Sequence, residues 1–247
     1  MSEVHGIVYA YHSSPRLGDL TRYRTNASLP FCGRYRLIDF ALSSLSNAGV
    51  HSVGVIMQRD YQSLLDHLGS GKAWDLSRRS GGLHLLPAIC RGGAVTGEHH
   101  RYLTDAHGRV TKLITSASAG AGVAAMEIYI VNKDVLLGIL DFCAQENRFH
   151  FHRDGLFEYL GRGGTMDVFL HRGYAVRVDT VADYFAASMD MLEPLSRASL
   201  FPADRPVRTK ERADVSTYYG EHAHVENCLV ADGCFIEGEV ENSILSR

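Results

Sequence analysis

The sequence predicts an α/β fold that gives way to a coiled β segment at its C-terminal end, and three observations carry that expectation. Gly6-Ile7-Val8-Tyr9-Ala10-Tyr11 is a short β-prone apolar run of the kind that forms a central parallel strand. Leu37, Ile38, Phe40, Ala41, Leu42, Leu45 and Ala48 recur at three- and four-residue steps, the pattern of an amphipathic helix, and Gly49 follows as a C-terminal stop. Val225-Glu226-Asn227-Cys228-Leu229-Val230 returns as Val240-Glu241-Asn242-Ser243-Ile244-Leu245, while Cys228, Cys234 and Val240 step by six residues. A six-residue period of small and aliphatic side chains is the sign of a left-handed β-helix, whose coils need about three repeats to be stable.

In chain order, the loop His12-Ser13-Ser14-Pro15 closes the first strand. After the helix, His51 to Gln58 alternates and then turns continuously apolar, as a second parallel strand does. Gln58 falls at its C-terminal end, where open α/β sheets place ligand groups. Tyr61 to Leu68 reads as a short helix ended by Gly69-Ser70-Gly71, with His67 a packed or surface residue rather than a ligand. Trp74, the one tryptophan, follows, and then a β-like run, Leu83 to Pro87. Ile128 to Val131 suggests a strand, and Lys133 to Cys143 and Ala182 to Leu192 two helices. Residues 196–222, with Pro202, Pro206 and alternating charge, read as a linker. Residues 223–247 then supply only the first β-helix coils, so that domain is expected to be truncated at Arg247.

The 247 residues suffice for one large domain or two small ones, and 45% hydrophobic with 21% charged residues is ordinary for a globular protein. A net charge of −3 argues against a nucleic-acid partner bound by bulk electrostatics. Cys32, Cys90, Cys143, Cys228 and Cys234 include no CxxC pair, and their odd number fits reduced thiols. No apolar run approaches the ~20 residues that span a bilayer, and MSEVHG lacks a basic n-region and a cleavage site. A soluble, cytoplasmic protein without a membrane partner is expected.

Between Leu20 and Gly49 the chain concentrates Arg22, Arg24, Arg34 and Arg36 ahead of the helix. Guanidinium donors match phosphate oxygens two at a time, so this loop suits phosphate recognition. The same spacing also fits a solvated basic loop whose arginines pair with Asp39, Asp19 and their neighbours at the surface.

Phe31-Cys32-Gly33-Arg34-Tyr35-Arg36-Leu37-Ile38-Asp39-Phe40-Ala41-Leu42-Ser43, with Asn47-Ala48-Gly49, resembles the N-terminal signature of the ADP-glucose pyrophosphorylases (glucose-1-phosphate adenylyltransferases). Tyr61 to Leu68 and Gly71 to Leu76 are similar to the same family, most of all to its non-catalytic, D-type regulatory subunit of bacterial glycogen synthesis. The resemblance implies a Rossmann-like, GT-A-like nucleotidyltransferase domain over residues 1–195. In that family the neighbourhood of Trp74 is linked to carrying effector signals. A βαβ unit of the family's sheet has no counterpart after about residue 91, where Gly92 to Gly97 leads directly towards Tyr102 to Val110, which resembles the hairpin just ahead of the family's sugar-phosphate segment.

Set beside the catalytic pattern, four segments differ. The glycine-rich nucleotide loop reads Tyr11-His12-Ser13-Ser14-Pro15-Arg16-Leu17-Gly18, with one late glycine and a proline that removes a donor. Ile114 to Gly120 replaces a Glu-Lys-Pro triplet that grips glucose-1-phosphate, and Ala125 and Glu127 replace the Ser and Gly of the sugar strand. Arg177 stands where the second Mg²⁺-ligating Asp belongs, with Asp179 two residues on, and a guanidinium cannot ligate Mg²⁺. In addition Asn26-Ala27 replaces a Lys-Pro pair associated with effector sensing.

The resemblance therefore implies a regulatory, catalytically impaired subunit with no catalytic residue and no metal ligand of its own. Mg²⁺ belongs to a catalytic partner subunit, with which this chain, or a second copy of it, would assemble. Arg22, Arg24, Arg34, Arg36, Gln58 and Trp74 are the candidate effector or phosphate-binding residues, for a sugar phosphate or a nucleotide. Two alternatives stand beside this reading: an active sugar-phosphate nucleotidyltransferase, and a β-helix scaffold or acyltransferase.

Overall fold

The computed structural model describes residues 4–58, 60–87, 99–116, 122–148 and 150–246. The chain divides into two compact units, one formed by Met1–Cys90 with Gly173–Arg247 and the other by Arg91–Arg172. The expected absence of a βαβ unit after about residue 91 falls outside the described residues.

The first unit is built on a three-stranded parallel sheet in the order His5–Tyr9, Ser52–Met57, Gly82–Pro87. Its central strand alternates strictly, with Val53, Val55 and Met57 buried, and each buried side chain of that kind contributes about 1.5–3 kcal/mol. Two helices supply the apolar face that covers it: α1 (Leu37–Asn47), through Ile38 and Leu42, and α2 (Gln62–Leu68), through Leu64 and Leu68. α1 lies so close to the first strand that a Cβ on Gly6 would come within 2.9 Å of Leu45 Cδ1. Gly49 ends α1 at φ 76, in the left-handed region expected of a helix stop. Trp74 and Leu76, fully buried, complete this core.

The C-terminal part of this unit carries the internal repeat as parallel strand pairs. His224–Glu226 pairs with Glu239–Glu241, and Leu229–Val230 with Ile244–Leu245, so Val225 faces Val240 and Leu229 faces Ile244. Phe235–Ile236 pairs in the same sense with Tyr218–Tyr219. Each of these sheets has two strands. Asn227 and Asn242, 15 residues apart, join through their side chains at 2.8 Å. The segment expected to be wholly linker begins inside a helix, Pro194–Leu200, whose proline occupies the first turn where its missing N–H costs nothing.

The second unit pairs Val110–Ser116, His99–Thr104 and Val123–Ala124 as an antiparallel sheet in that order. The expected hairpin turns at Asp105, whose carboxylate accepts the His107 and Arg109 N–H groups at 2.8 and 3.0 Å. The helix Lys133–Gln145 packs Ile139 and Cys143 against Leu156. Ile128 to Val131, expected as a strand, pairs with no other strand among the described residues; an apolar run becomes a strand only where a neighbouring strand takes its hydrogen bonds. No described helix is long and apolar enough to cross a membrane.

In the second unit His100 and His152 stack at 3.7 Å between ring centroids, and Tyr102 Oη meets His152 Nε2 at 2.6 Å. Burial first, and the neighbouring His100 second, push the His152 imidazole down to about 3. The unfolded chain therefore takes up this proton near pH 6.5 while the folded chain does not, so stability is full above that value and falls as pH drops below it. Between pH 7 and 5.5 the expected loss is about 0.5–1 kcal/mol, reduced for the partial exposure of the ring. Urea titrations at the two pH values should show this loss in the wild type and a smaller one in His152→Gln. Equal stability of the wild type at both pH values would contradict the assignment.

Candidate functional site

The arginines of the 20–49 stretch separate into two kinds. Arg22 and Arg34 are exposed, each set over the ring of the following tyrosine, at 5.2 Å for Tyr23 and 5.9 Å for Tyr35. Arg36 is half-buried and donates from one guanidinium nitrogen to Ser63 O and Oγ, at 2.5 and 2.9 Å, on the first turn of α2. Its guanidinium is pulled below the ordinary arginine value, first by burial and then by the charges of Arg212 and Arg24. Asp39 and Asp66 act in the opposite direction. Three guanidiniums thus share one neighbourhood: Arg24 from the loop, Arg36 from the start of α1 and Arg212 from the linker. Neither Arg24 nor Arg212 has a hydrogen bond or ion pair among the described residues. Unpaired like charges held together in a folded chain favour an anion that accepts from all of them.

Arg212 was not legible as a site residue, because it lies in a segment whose prolines and alternating charges read as a connection. What brings it in is a strap of linker across α1. Arg208 N donates to Ser43 Oγ at 2.8 Å, and its guanidinium reaches Ser46 Oγ at 2.6 Å. Asn47 Nδ2 donates to Pro206 O at 3.1 Å, and Lys210 Nζ donates to the Asp66 carbonyl. Trp74 joins the same strap through its indole N–H, which donates to Arg208 O at 3.1 Å. Gln58 is half-buried one residue past the end of the central strand.

Asp39 is not the surface partner considered for these arginines. It is fully buried, accepts the Arg36 N–H at 2.9 Å as the cap of α1, and meets His67 Nε2 at 2.5 Å.

The loop after the first strand has no open phosphate cradle. Pro15–Thr21 winds into a 3₁₀ turn, Leu17 is buried, and Ser14 N donates to Asn26 Oδ1 at 3.0 Å. Ser14 Oγ in turn donates to Asp179 O at 2.7 Å. The cavity beside this loop, about 220 Å³, is lined by Val8, Ala10, Asn26, Leu37 and Ala41 among others, with no lysine or arginine. A triphosphate placed there would meet no guanidinium or ammonium group of the lining.

Asp179 is 95% buried, and its carboxylate is taken by two guanidiniums, Arg177 Nε at 2.6 Å and Arg16 at 3.6 Å. The Arg177–Asp179 pair joins a buried carboxylate to a guanidinium that is 32% exposed. This donor set does not fit Mg²⁺: the Asp179 carboxylate is already paired with two guanidiniums, and the neighbouring Asp183 carboxylate is engaged by the Asp179 and Thr180 N–H groups as the cap of the helix Val181–Asp190. One described group does bring possible ligand atoms together, the exposed His224, Glu226 and Glu241, and it includes neither Arg177 nor Asp179. Glu127, in place of the sugar-strand glycine, has φ 57, a conformation that favours glycine. Residues 117–120 of the segment that replaces Glu-Lys-Pro lie outside the described residues.

Residues 6–105 match the nucleotidyl transferase family model. The chain is 32% identical to the glycogen biosynthesis protein GlgD of Bacillus subtilis (strain 168) over 263 aligned residues, covering 94% of this chain and 76% of the relative. It is also 32% identical to a protein of the same name from Geobacillus stearothermophilus, over 98% of this chain and 79% of the relative. A glucose-1-phosphate adenylyltransferase of Clostridium beijerinckii is 27% identical over 310 aligned residues, covering 99% and 80%. That alignment is longer than the 247 residues of this chain, so the adenylyltransferase carries residues with no counterpart here.

Proposed function

This chain belongs to the nucleotidyl transferase family of the GlgD glycogen biosynthesis proteins and the glucose-1-phosphate adenylyltransferases, and we propose that it is a regulatory subunit which itself lacks the adenylyl transfer reaction. The observation that carries this reading is the double pairing of Asp179 with Arg177 and Arg16. Joining ATP to glucose-1-phosphate with release of pyrophosphate requires charge on the α-phosphate to be steadied by a metal ion and basic side chains. Here Asp179, the carboxylate two residues past the expected metal position, is paired with two guanidiniums, and no lysine or arginine lines the cavity by the nucleotide loop.

In this reading the retained arginines serve regulation. Arg24, Arg36 and Arg212 bind a phosphorylated sugar or a nucleotide, and the chain works in glycogen biosynthesis beside a catalytic subunit that supplies Mg²⁺. The parallel strand pairs at the C-terminal end are the first coils of a left-handed β-helix, with the repeats Val225–Val240 and Leu229–Ile244 stacked in register. The test is pyrophosphate release by the purified chain alone, given ATP, glucose-1-phosphate and Mg²⁺. No release above a protein-free control is expected, and turnover equal to that of a glucose-1-phosphate adenylyltransferase would overturn the proposal.

A further inference from the structure

Asp39 and His67 form a pair in the interior of the first unit, with side chains 0% and 2% exposed. A buried carboxylate is tolerated only when its oxygens are engaged, and Asp39 engages both. Oδ2 accepts the Arg36 N–H at 2.9 Å, and Oδ1 lies 2.5 Å from His67 Nε2. Arg36 then closes a ring, because its guanidinium reaches Ser63. Ser63 and His67 are four residues apart on α2 and so share one face of it. The backbone of Arg36 is held through Asp39 to one end of α2, and its guanidinium is held directly to the other.

A second arm leaves the same pair. The His67 ring packs edge-on to Trp74 at 5.7 Å, and Trp74 donates to Arg208 O. Arg208 is fixed in turn by Ser43, one helical turn beyond Asp39 on α1. Arg212 follows four residues later on the same strap. The first arm therefore ends on Arg36, and the second on Arg208, four residues before Arg212.

We propose that Asp39 and His67 are positioning residues of the arginine site, which hold Arg36 directly, and Arg212 through Trp74 and the linker, in the arrangement that grips a phosphorylated anion. This rests on the anion-binding reading given above. Guanidinium–phosphate contacts depend on a fixed fork geometry, so a site whose arginines are released loses affinity although every arginine remains.

The experiment titrates fructose bisphosphate into the whole chain by calorimetry and by the emission of Trp74, the single tryptophan. His67→Leu is expected to bind about tenfold more weakly than wild type, the scale of one charge-assisted contact, and to lose the emission change. His67→Gln, which keeps a donor towards Asp39, is expected to recover most of the affinity. Should His67→Leu fail to fold, Asp39→Asn, which keeps the shape and removes the charge, is expected to show the same weakening. Wild-type affinity in His67→Leu or Asp39→Asn overturns the positioning role, as does equal weakening by Gln and Leu. Absence of binding by the wild type overturns the anion-site reading as well, which separates the two failures.

Discussion

Arg177→Asp is expected to leave the isolated chain without measurable adenylyl transfer, at least about a thousandfold below an active adenylyltransferase. The substitution would restore a carboxylate where the family places its second metal ligand. It leaves Arg16 still paired with Asp179 at 3.6 Å. It also leaves the Pro15–Thr21 turn as it is and the adjoining cavity without a lysine or arginine. Phosphoryl and nucleotidyl transfer depend almost wholly on positioning and charge stabilisation, so one restored ligand is not expected to offset the other segments that differ from the catalytic pattern. Pyrophosphate release by purified Arg177→Asp measures this directly. Turnover approaching that of an active relative would show that Arg177 alone blocks the site.

Replacing Arg24 or Arg212 with alanine is expected to weaken binding of a phosphorylated sugar tenfold to a hundredfold, the range of about 1.5–3 kcal/mol for a contact to a charged group. Arg22→Ala and Arg34→Ala are expected to change it by less than about threefold, as for exposed charges in general. The contrast follows from placement: Arg24 and Arg212 share the neighbourhood of Arg36, whereas Arg22 and Arg34 lie over their own adjacent tyrosines. Raised salt should weaken whatever part of the interaction is exposed. Calorimetric titration of the four variants checks the ranking, and equal losses in all four would dissolve the distinction between the two kinds of arginine.

The elements that could be read from the sequence are those whose signal is local. The three- and four-residue steps of Leu37 to Ala48 become α1 because the apolar stripe is long and Gly49 ends it. The alternation of Ser52–Met57 becomes the central strand, and the Val225 and Val240 repeats become register partners. Ile128 to Val131 has a strand's composition but no partner strand among the described residues, and no residue within it reports that lack. The candidate site was legible only in part for the same reason. The arginine density marked Arg24 and Arg36, but Asp39 meets His67 across 28 positions, and Arg208 meets Ser43 across 165. Arg212 reaches the cluster only through that long-range strap, and Asp39 looked like a surface acid because nothing local records its burial.

The measurement that bears most directly on a regulatory subunit is ADP-glucose synthesis by a catalytic glucose-1-phosphate adenylyltransferase, followed across fructose bisphosphate concentration with and without this chain. Addition of the wild-type chain should shift the activation curve of the catalytic subunit, and the Arg24→Ala, Arg212→Ala double variant should lose most of that shift while adding no synthesis of its own. Superimposable curves with and without the wild-type chain would contradict the account.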